Sequence, residues 1–324
     1  MSGLAIKEAT ERFTALRGAL AERVVIADGA MGTMLQESDA TIDDFEGHEG
    51  CNEVLNVTRP DIVRGIHRAY LAAGADCVTT NTFGANYANL GEYGITERIG
   101  ELSEAGAAAA RAVADEFTAA DGRLRWVLGS IGPGTKLPTL GHVTFRELRD
   151  SYYENAAGLL RGGADALIIE TCPDLLQAKA AIVGAKRAVA DLAPGAVVIA
   201  SLTIETTGTM LLGTEIGAAL TALAPLGIDV IGLNCATGPD LMSEHLRYLT
   251  ANSTIPVSCE PNAGLPELTS NGAYYPLTAA ELADAHERFA MEFGVSLVGG
   301  CCGTTPEHVA ALVERLGEIG RAHV

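Results

Sequence analysis

Eight short runs of β-branched and aliphatic residues recur along the chain, and a stretch with helical periodicity lies between most of them. Their apolar character is continuous rather than alternating, which is typical of parallel strands covered on both faces. Strands and helices that alternate along 324 residues predict an α/β fold, a (β/α)8 TIM barrel, with a doubly wound open sheet as the alternative. The runs span residues 24–30, 77–83, 126–133, 166–173, 197–204, 230–236, 256–264 and 297–304.

The stretches between the runs have the period of amphipathic helices. In residues 60–73, Ile62, Ile66 and Tyr70 recur at every fourth position behind an initial proline. The first 23 residues predict a further amphipathic helix rather than a secretion signal. No linker or low-complexity segment divides the chain, so we expect a single domain over residues 1–324.

The net charge limits the possible partners of the chain, and the cysteine content indicates its cellular compartment. The net charge is −19 and no basic block is present, so nucleic acid and anionic membrane surfaces would be repelled. No apolar run approaches the roughly 18 residues that cross a bilayer. The seven cysteines are odd in number and mostly lie in apolar runs, which fits a reducing compartment, and we expect a cytoplasmic protein.

The positions of the histidines, lysines and glycines argue against a histidine site, Schiff-base chemistry and a dinucleotide-binding site. His67, His245 and His286 fall in helical stretches that would cover the outside of a barrel, so we expect them at the surface. None of the four lysines lies within a strand-like run, which makes Schiff-base chemistry a poor interpretation. The first run is not followed by the glycine spacing of a dinucleotide-binding site.

Active sites of such barrels lie at the C-terminal ends of the strands. The predicted strands end in polar residues, and two connections at this rim, 33–59 and 134–144, are long enough to form lids or simply solvated loops. The polar side chains at the strand ends include Asp28, Thr79, Glu170, Glu205, Asn234, Glu260 and the pair Cys301 and Cys302.

The adjacent Cys301 and Cys302 indicate a metal site. Successive side chains of a strand point to opposite faces, and the glycines on both sides of the pair permit the kink that would turn both thiols to one ion. Cys235 ends the sixth run and is the best third ligand, whereas Cys172 and Cys259 lie near enough to the rim to compete. A phosphate-binding glycine turn and a vicinal disulfide are the alternatives.

Zinc with three thiolate ligands has a formal local charge of −1 and is a weak Lewis acid. Such a centre binds a fourth thiol as an electron-rich thiolate, which indicates alkyl transfer to a substrate thiol. Asp28 and Glu170 are suited to an ammonium group, and the amides after Asp28 to a carboxylate, so the rim has the features of an amino-acid pocket. The alternative roles are turn capping for Asp28, a salt bridge for Glu170 and loop stabilisation for Asn234.

Five segments resemble the homocysteine S-methyltransferase family, and together they extend over nearly the whole chain. They are DGAMGTM at 28–34, ADCVTTNTF at 75–83, GLNCA at 232–236, PNAGLP at 261–266 and VGGCCGTTP at 298–306. The resemblance implies that Cys235, Cys301 and Cys302 bind Zn²⁺ and that L-homocysteine supplies the fourth ligand. It also implies that Asp28 and Glu170 receive the amino group, amides near Met31 and Gly32 the carboxylate, and that the thiolate attacks an electrophilic methyl group.

Within the family, the segments are most similar to the cobalamin-dependent members, in which this barrel is an N-terminal homocysteine-binding module. That likeness implies methylcobalamin, carried on a module absent from this chain, as the donor in methionine biosynthesis. Cobalamin-binding and folate-binding modules would then be the partners. The alternatives are a stand-alone enzyme that uses S-methylmethionine or betaine, and a non-catalytic, metal-stabilised barrel that binds thiols.

Overall fold

The computed structural model describes residues 3–269 and 272–317. Eight parallel strands form one sheet, and each of the eight predicted runs contains one of them. An antiparallel hairpin, β8 (Glu267–Thr269) and β9 (Gly272–Tyr274), stands apart from that sheet. The eight strands are β1 (Val25–Ile26), β2 (Cys77–Thr79), β3 (Trp126–Ile131), β4 (Ala166–Cys172), β5 (Val197–Leu202), β6 (Val230–Asn234), β7 (Val257–Glu260) and β10 (Leu297–Val298).

The sheet curves into a nearly closed barrel. Its order is β1-β10-β7-β6-β5-β4-β3-β2, so each strand pairs with its neighbour in the series and β1 and β2 are the two edges. These edges meet, because the amide of Asp76 donates to the carbonyl of Ile26 at 2.7 Å and the amide of Thr79 donates to the Asp28 carboxylate at 2.8 Å. The prediction of a single-domain (β/α)8 barrel is therefore confirmed.

Helices follow the strands and cover the barrel. The predicted helix at 60–73 begins at its proline, and the helix that follows β4 begins at Leu175, where the Asp174 side chain caps it. The helices described are α1 (Gly3–Glu22), α2 (Met31–Gln36), α3 (Leu55–Thr58), α4 (Pro60–Ala72), α5 (Tyr87–Glu92), α6 (Ile99–Asp121), α7 (Phe145–Arg161), α8 (Leu175–Leu192), α9 (Ile216–Leu223), α10 (Pro239–Asn252), α11 (Ala279–Arg288) and α12 (Pro306–Leu316).

The N-terminal helix α1 closes the bottom of the barrel. Its Leu16 and Leu20 belong to the same buried cluster as the inward-facing side chains of the strands, such as Leu128 and Ile168. The Trp126 indole donates to the carbonyl of Arg12 in α1 at 3.1 Å. Because the bottom is filled, the opening of the barrel that remains for a ligand is the opposite rim.

Three aspartates fix α1 to the bottom of the barrel. Each follows a Gly-X pair and stands directly before β2, β4 or β6, where its carboxylate accepts a backbone N–H of the preceding strand at 2.8–3.0 Å. Each also forms an ion pair with an arginine of α1 or the turn after it, at 2.7–2.9 Å. The pairs are Asp76 with Arg23, Asp165 with Arg12, and Asp229 with Arg17.

The expectation that His67 and His286 lie at the surface is wrong, since both side chains are fully buried, and His245 is half-buried. His67 is four residues after the buried Val63 and shares its face of α4. The His286 ring in α11 contacts the carbonyl of Gly299, two residues before the cysteine pair, through Nε2 at 3.0 Å. Among the described residues, no helix is both long and apolar enough to cross a membrane.

Candidate functional site

The structure brings Cys235, Cys301 and Cys302 together at the open rim. Cys235 follows β6, and the cysteine pair follows β10 in the glycine-rich turn. The Sγ atom of Cys302 lies 3.9 Å from that of Cys235 and 4.0 Å from that of Cys301, and all three sulfurs are within 4.8 Å of one another. Cys235 has a left-handed backbone, with φ of 58°, which re-aims its thiol at the strand end.

The sulfur spacing fits a tetrahedral zinc ion. Zn–S bonds of about 2.3 Å in a tetrahedron place two sulfurs about 3.8 Å apart. The three cysteines are free thiols, so the vicinal disulfide is not formed here. Hydrogen bonds from the thiols of Cys235 and Cys301 lower the pKa of Cys302 to about 3. For Cys235, the Cys301 hydrogen bond lowers the pKa, but the hydrogen bond to Cys302 and burial outweigh it and raise the pKa to about 12, and hydrogen bonds to Cys235 and Cys302 raise the pKa of Cys301. The group thus favours one thiolate and two thiols, and ionising all three would require a cation.

The loop after β7 holds the cysteine turn in place. The amide of Cys301 donates to the carbonyl of Pro261 at 2.8 Å, and the amide of Cys302 donates to Oδ1 of Asn262 at 3.1 Å. On the other side, Gly303 adopts a φ of 79° and the ring of Tyr275 fills the space that a Cβ there would need. The turn is thus fixed by its neighbours before any ion is bound.

The remaining cysteines do not join this group. Cys172 and Cys259, which the sequence allowed as competitors, are buried in the core between the strands and the helices. Cys51 is buried beside Glu53, and its Sγ lies 3.5 Å from the Glu53 carboxylate. Within residues 3–269 and 272–317, Cys235, Cys301 and Cys302 are the one set of three ligand side chains close enough to share an ion.

A cavity of about 400 Å³ opens beside the three thiols. It extends from the ends of the strands to the 33–59 connection. Gly50 and Glu53 of this connection line the cavity, so the connection forms one of its walls. All eight side chains predicted for the site line it: Asp28, Met31, Gly32, Glu170, Asn234, Cys235, Cys301 and Cys302.

Asp28 and Glu170 face this cavity as buried carboxyl groups. Asp28 accepts the amide of Thr79 at 2.8 Å, and Glu170 accepts the Ser130 hydroxyl at 2.5 Å. Burial is the main cause that raises the pKa of Asp28 to about 7, and the nearby Glu170 contributes; burial likewise raises the pKa of Glu170 to about 7. Their ionised forms lack a countercharge, which a cationic group of a ligand would supply.

The sequence predicts Glu260 at a strand end without assigning it to the site, whereas the structure places it among the residues of the site cavity. Its side chain lines the same cavity and is 7% exposed. Burial, with repulsion from Glu170 and Asp28, raises the pKa of Glu260 to about 8. The acidic character of a residue that ends a strand at the active rim was the available signal.

Asn234 supports the site through a set of hydrogen bonds. Its Oδ1 accepts the amide of Thr171 and the hydroxyl of Ser201, each at 2.9 Å. Its Nδ2 donates to the Thr171 hydroxyl at 2.6 Å and lies 3.5 Å from the Glu170 carboxylate. Thr171 has a φ of 58°, so Asn234 fixes a strained irregularity of β4 directly after Glu170.

Met31 and Gly32 form the first turn of α2, which no side chain caps. The first amides of a helix have no partner within it. The preceding amide, of Ala30, donates to the Thr304 hydroxyl at 3.1 Å, which ties this turn to the segment after the cysteines. Backbone donors therefore border the cavity that the acidic groups also line.

A family model described as homocysteine S-methyltransferase matches residues 25–316. The chain belongs to the homocysteine S-methyltransferase family. A methionine synthase of Mycobacterium tuberculosis is 59% identical over 308 residues, which are 95% of this chain and 26% of that protein. A methionine synthase of Mycobacterium leprae is likewise 59% identical over 308 residues, 94% of this chain and 26% of that protein. Membership places the chain among methyltransferases, and it spans about a quarter of the length of these relatives.

Solved structures of one family member have the same fold. The metallated form of the homocysteine methyltransferase MmuM from Escherichia coli has a TM-score of 0.73 at 24% identity, covering 90% of this chain and 96% of that one. Its oxidised form has a TM-score of 0.71 at 23% identity, with the same coverage. At this level of identity the likeness supports the barrel architecture.

Proposed function

We propose that this chain binds L-homocysteine and presents its thiolate to a methyl donor, so that methionine forms. The observation that carries the proposal is the position of three thiols and two buried carboxyl groups around one cavity, in a chain of the homocysteine S-methyltransferase family. The carboxyl groups suit the amino group of a substrate whose other end reaches the thiols.

Cys235, Cys301 and Cys302 would hold one Zn²⁺, and their spacing and chemistry support that assignment. When bound there, zinc with three thiolate ligands supplies a position at which a fourth thiol loses its proton near neutral pH and keeps an electron-rich sulfur. The cysteine turn is already fixed by Pro261 and Asn262, so little ordering is required of the chain when the ion enters.

The amino-acid end of the substrate would be held by groups of the chain. Asp28 and Glu170 accept N–H bonds from the ammonium group, and the first amides of α2, at Met31 and Gly32, donate to the carboxylate. Asn234 keeps Glu170 in position, because its own polar atoms are occupied by Thr171 and Ser201. Fixing both charged groups keeps the substrate sulfur beside the thiols.

In the transfer step, the substrate sulfur attacks the methyl carbon. A carbon–sulfur bond forms while the bond between the methyl group and the donor breaks, with its electron pair remaining on the donor. No residue has to move a proton at the carbon. The chain contributes by orienting the sulfur and by excluding water from the cavity.

We further propose that the donor is methylcobalamin on a separate module, with a cobalamin-binding and a folate-binding module in the same longer enzyme. Residues 1–324 would then be its N-terminal homocysteine-binding module, in the cytoplasm. This is supported by two methionine synthases that the chain matches over 26% of their length. A stand-alone enzyme using S-methylmethionine or betaine, and a non-catalytic thiol-binding barrel, are the other outcomes of the test.

The test is metal analysis followed by a donor comparison. The chain is purified anaerobically, supplied with zinc, and assayed for methionine formation from homocysteine with methylcobalamin, S-methylmethionine or betaine. We expect one zinc per chain and transfer from methylcobalamin. Absence of zinc would contradict the metal assignment, transfer from one of the other donors alone would identify a stand-alone enzyme, and no transfer from any donor would favour the binding barrel.

A further inference from the structure

Glu260 is a buried carboxyl group of the cavity with no role in the function proposed so far. The buried Glu53 also lines the cavity, but its carboxylate accepts the amide of Gly84 at 2.6 Å. Glu260 ends β7 and lines the cavity together with Asp28, which follows β1, and Glu170, which lies near the end of β4. In the order of the sheet, one strand separates β1 from β7, and two separate each of the other pairs. The three carboxyl groups therefore surround the mouth of the barrel rather than occupy one side of it.

Glu260 differs from the other two in its contacts. Asp28 accepts the amide of Thr79, and Glu170 accepts the hydroxyl of Ser130. The Glu260 carboxyl group forms no hydrogen bond with any residue that the structure describes, although the side chain is 93% buried, being 7% exposed. A buried carboxyl group without a partner costs free energy unless a ligand supplies a donor.

We infer that Glu260 is the third acceptor for the substrate ammonium group and makes the site specific for an unmodified primary amine. A primary ammonium group has three N–H donors, and Asp28, Glu170 and Glu260 offer one carboxyl group for each of them at the ends of three different strands. The positive charge also offsets the repulsion among the three groups, which is strongest when the cavity holds no cation. This inference rests on the proposed function, because it assumes that homocysteine is the ligand.

The same arrangement predicts which ligands are rejected. A thiol without the amino group, such as 4-mercaptobutanoate, leaves all three carboxyl groups unpaired. N-methylhomocysteine has one N–H donor fewer and adds a methyl group next to a carboxyl group. A site built to bind N–H groups discriminates strongly against ligands that lack them, because its buried acceptors remain unsatisfied.

The test compares Glu260→Gln with wild type by titration calorimetry of the zinc-loaded chain. Homocysteine, 4-mercaptobutanoate and N-methylhomocysteine are the three ligands. Gln is nearly isosteric with Glu, so the cavity keeps its shape while the charge and one acceptor oxygen are lost. Glu205→Gln is the matched control, since Glu205 follows the end of β5 at the same rim and is not part of the cavity lining.

We expect wild type to prefer homocysteine strongly over 4-mercaptobutanoate, and Glu260→Gln to reduce this preference roughly 10- to 100-fold, as for one hydrogen bond to a charged group. Glu205→Gln should keep the wild-type preference. An unchanged preference in Glu260→Gln, or an equal loss of affinity for both thiols, would overturn the inference, because a merely structural role does not depend on the amino group.

Wild type gives a second test that needs no variant to fold. N-methylhomocysteine should bind roughly 10-fold more weakly than homocysteine, and equal affinity would contradict the three-acceptor arrangement. Failure of the proposed function has a different signature. If wild type bound homocysteine no better than 4-mercaptobutanoate, the amino-acid site itself would be absent, whatever Glu260 does.

Discussion

The Sγ atoms of Cys235 and Cys302 lie 3.9 Å apart although 67 positions separate the two residues in the chain. This approach depends on the barrel, since the strands that carry them are separated by β7 alone. The cysteines lie in the rim turns rather than in the core clusters of the barrel, so the chemistry of the metal and the stability of the fold are separable.

The first prediction concerns this separation. Cys301→Ser should reduce bound zinc well below one per chain and abolish methyl transfer, because a thiolate ligand is lost. The helical circular dichroism signal should remain near that of wild type, since the core is built by the strands and helices. Cys51→Ser, which changes a buried cysteine outside the group, should keep zinc at one per chain. Global unfolding of Cys301→Ser would instead indicate a structural metal.

The second prediction concerns the carboxylate that Asn234 positions. Glu170→Gln should weaken homocysteine binding by about 2–5 kcal/mol, the usual cost of removing one partner of a buried charged pair. Binding of 4-mercaptobutanoate, which has no ammonium group, should change little. Calorimetric titration of both ligands checks this, and an equal loss for the two thiols would assign Glu170 to the architecture of the cavity.

The third prediction follows from the burial of Glu260. Its pKa is about 8 in the fold, above its ordinary value of 4.5, so the folded chain keeps this proton over a pH range in which the unfolded chain has lost it. The resulting stabilisation is complete below about pH 4.5 and is lost as the pH rises through 8.

Glu260→Gln should remove this dependence. The unfolding free energy of the variant, relative to wild type, should therefore rise between pH 5 and 8 by at most about 1.4 kcal/mol per pH unit. Urea denaturation of the zinc-free, ligand-free chain at constant ionic strength measures it. Parallel pH curves for the variant and wild type would show that the carboxyl group is solvated rather than buried.

The fourth prediction concerns the bottom of the barrel. Asp165 is fully buried and pairs with both Arg12 and Arg111 at 2.7 Å. Asp165→Ala should therefore lower the unfolding free energy by about 3–5 kcal/mol, because it removes the buried carboxylate that two guanidinium groups share. Asp229→Ala is the matched comparison, since Asp229 is 26% exposed and its partner Arg17 is 41% exposed.

For Asp229→Ala we expect a smaller loss of about 1–3 kcal/mol, mainly from the backbone N–H of Val198 that its carboxylate accepts. Urea unfolding curves give both values, and zinc content at room temperature should be unchanged in both variants because the cysteines lie at the opposite rim. Equal losses would show that the ion pairs of Asp165 add nothing beyond the backbone bond.

The sequence by itself determined where the strands lie in the chain and which residues stand at the rim of the barrel. Continuous apolar runs identify parallel strands, and parallel strands end at the same edge, so Cys235, Cys301 and Cys302 could be assigned to one end of a barrel before any coordinates were known. Asp28 and Glu170 followed from the same rule. This information is local, because it depends on the residue type and on its position within its own strand.

Only the tertiary structure decided contacts between segments that are distant in the chain. Glu260 shares one cavity with Asp28 and Glu170 because the sheet closes, and the Tyr275 ring packs over Gly303 because a separate hairpin returns to the cysteine turn. The burial of His67 and His286 depends on which face of each helix the barrel covers, which periodicity alone left open. A site made of side chains from several strands is fixed by how those strands pack, and that packing is a property of the whole chain.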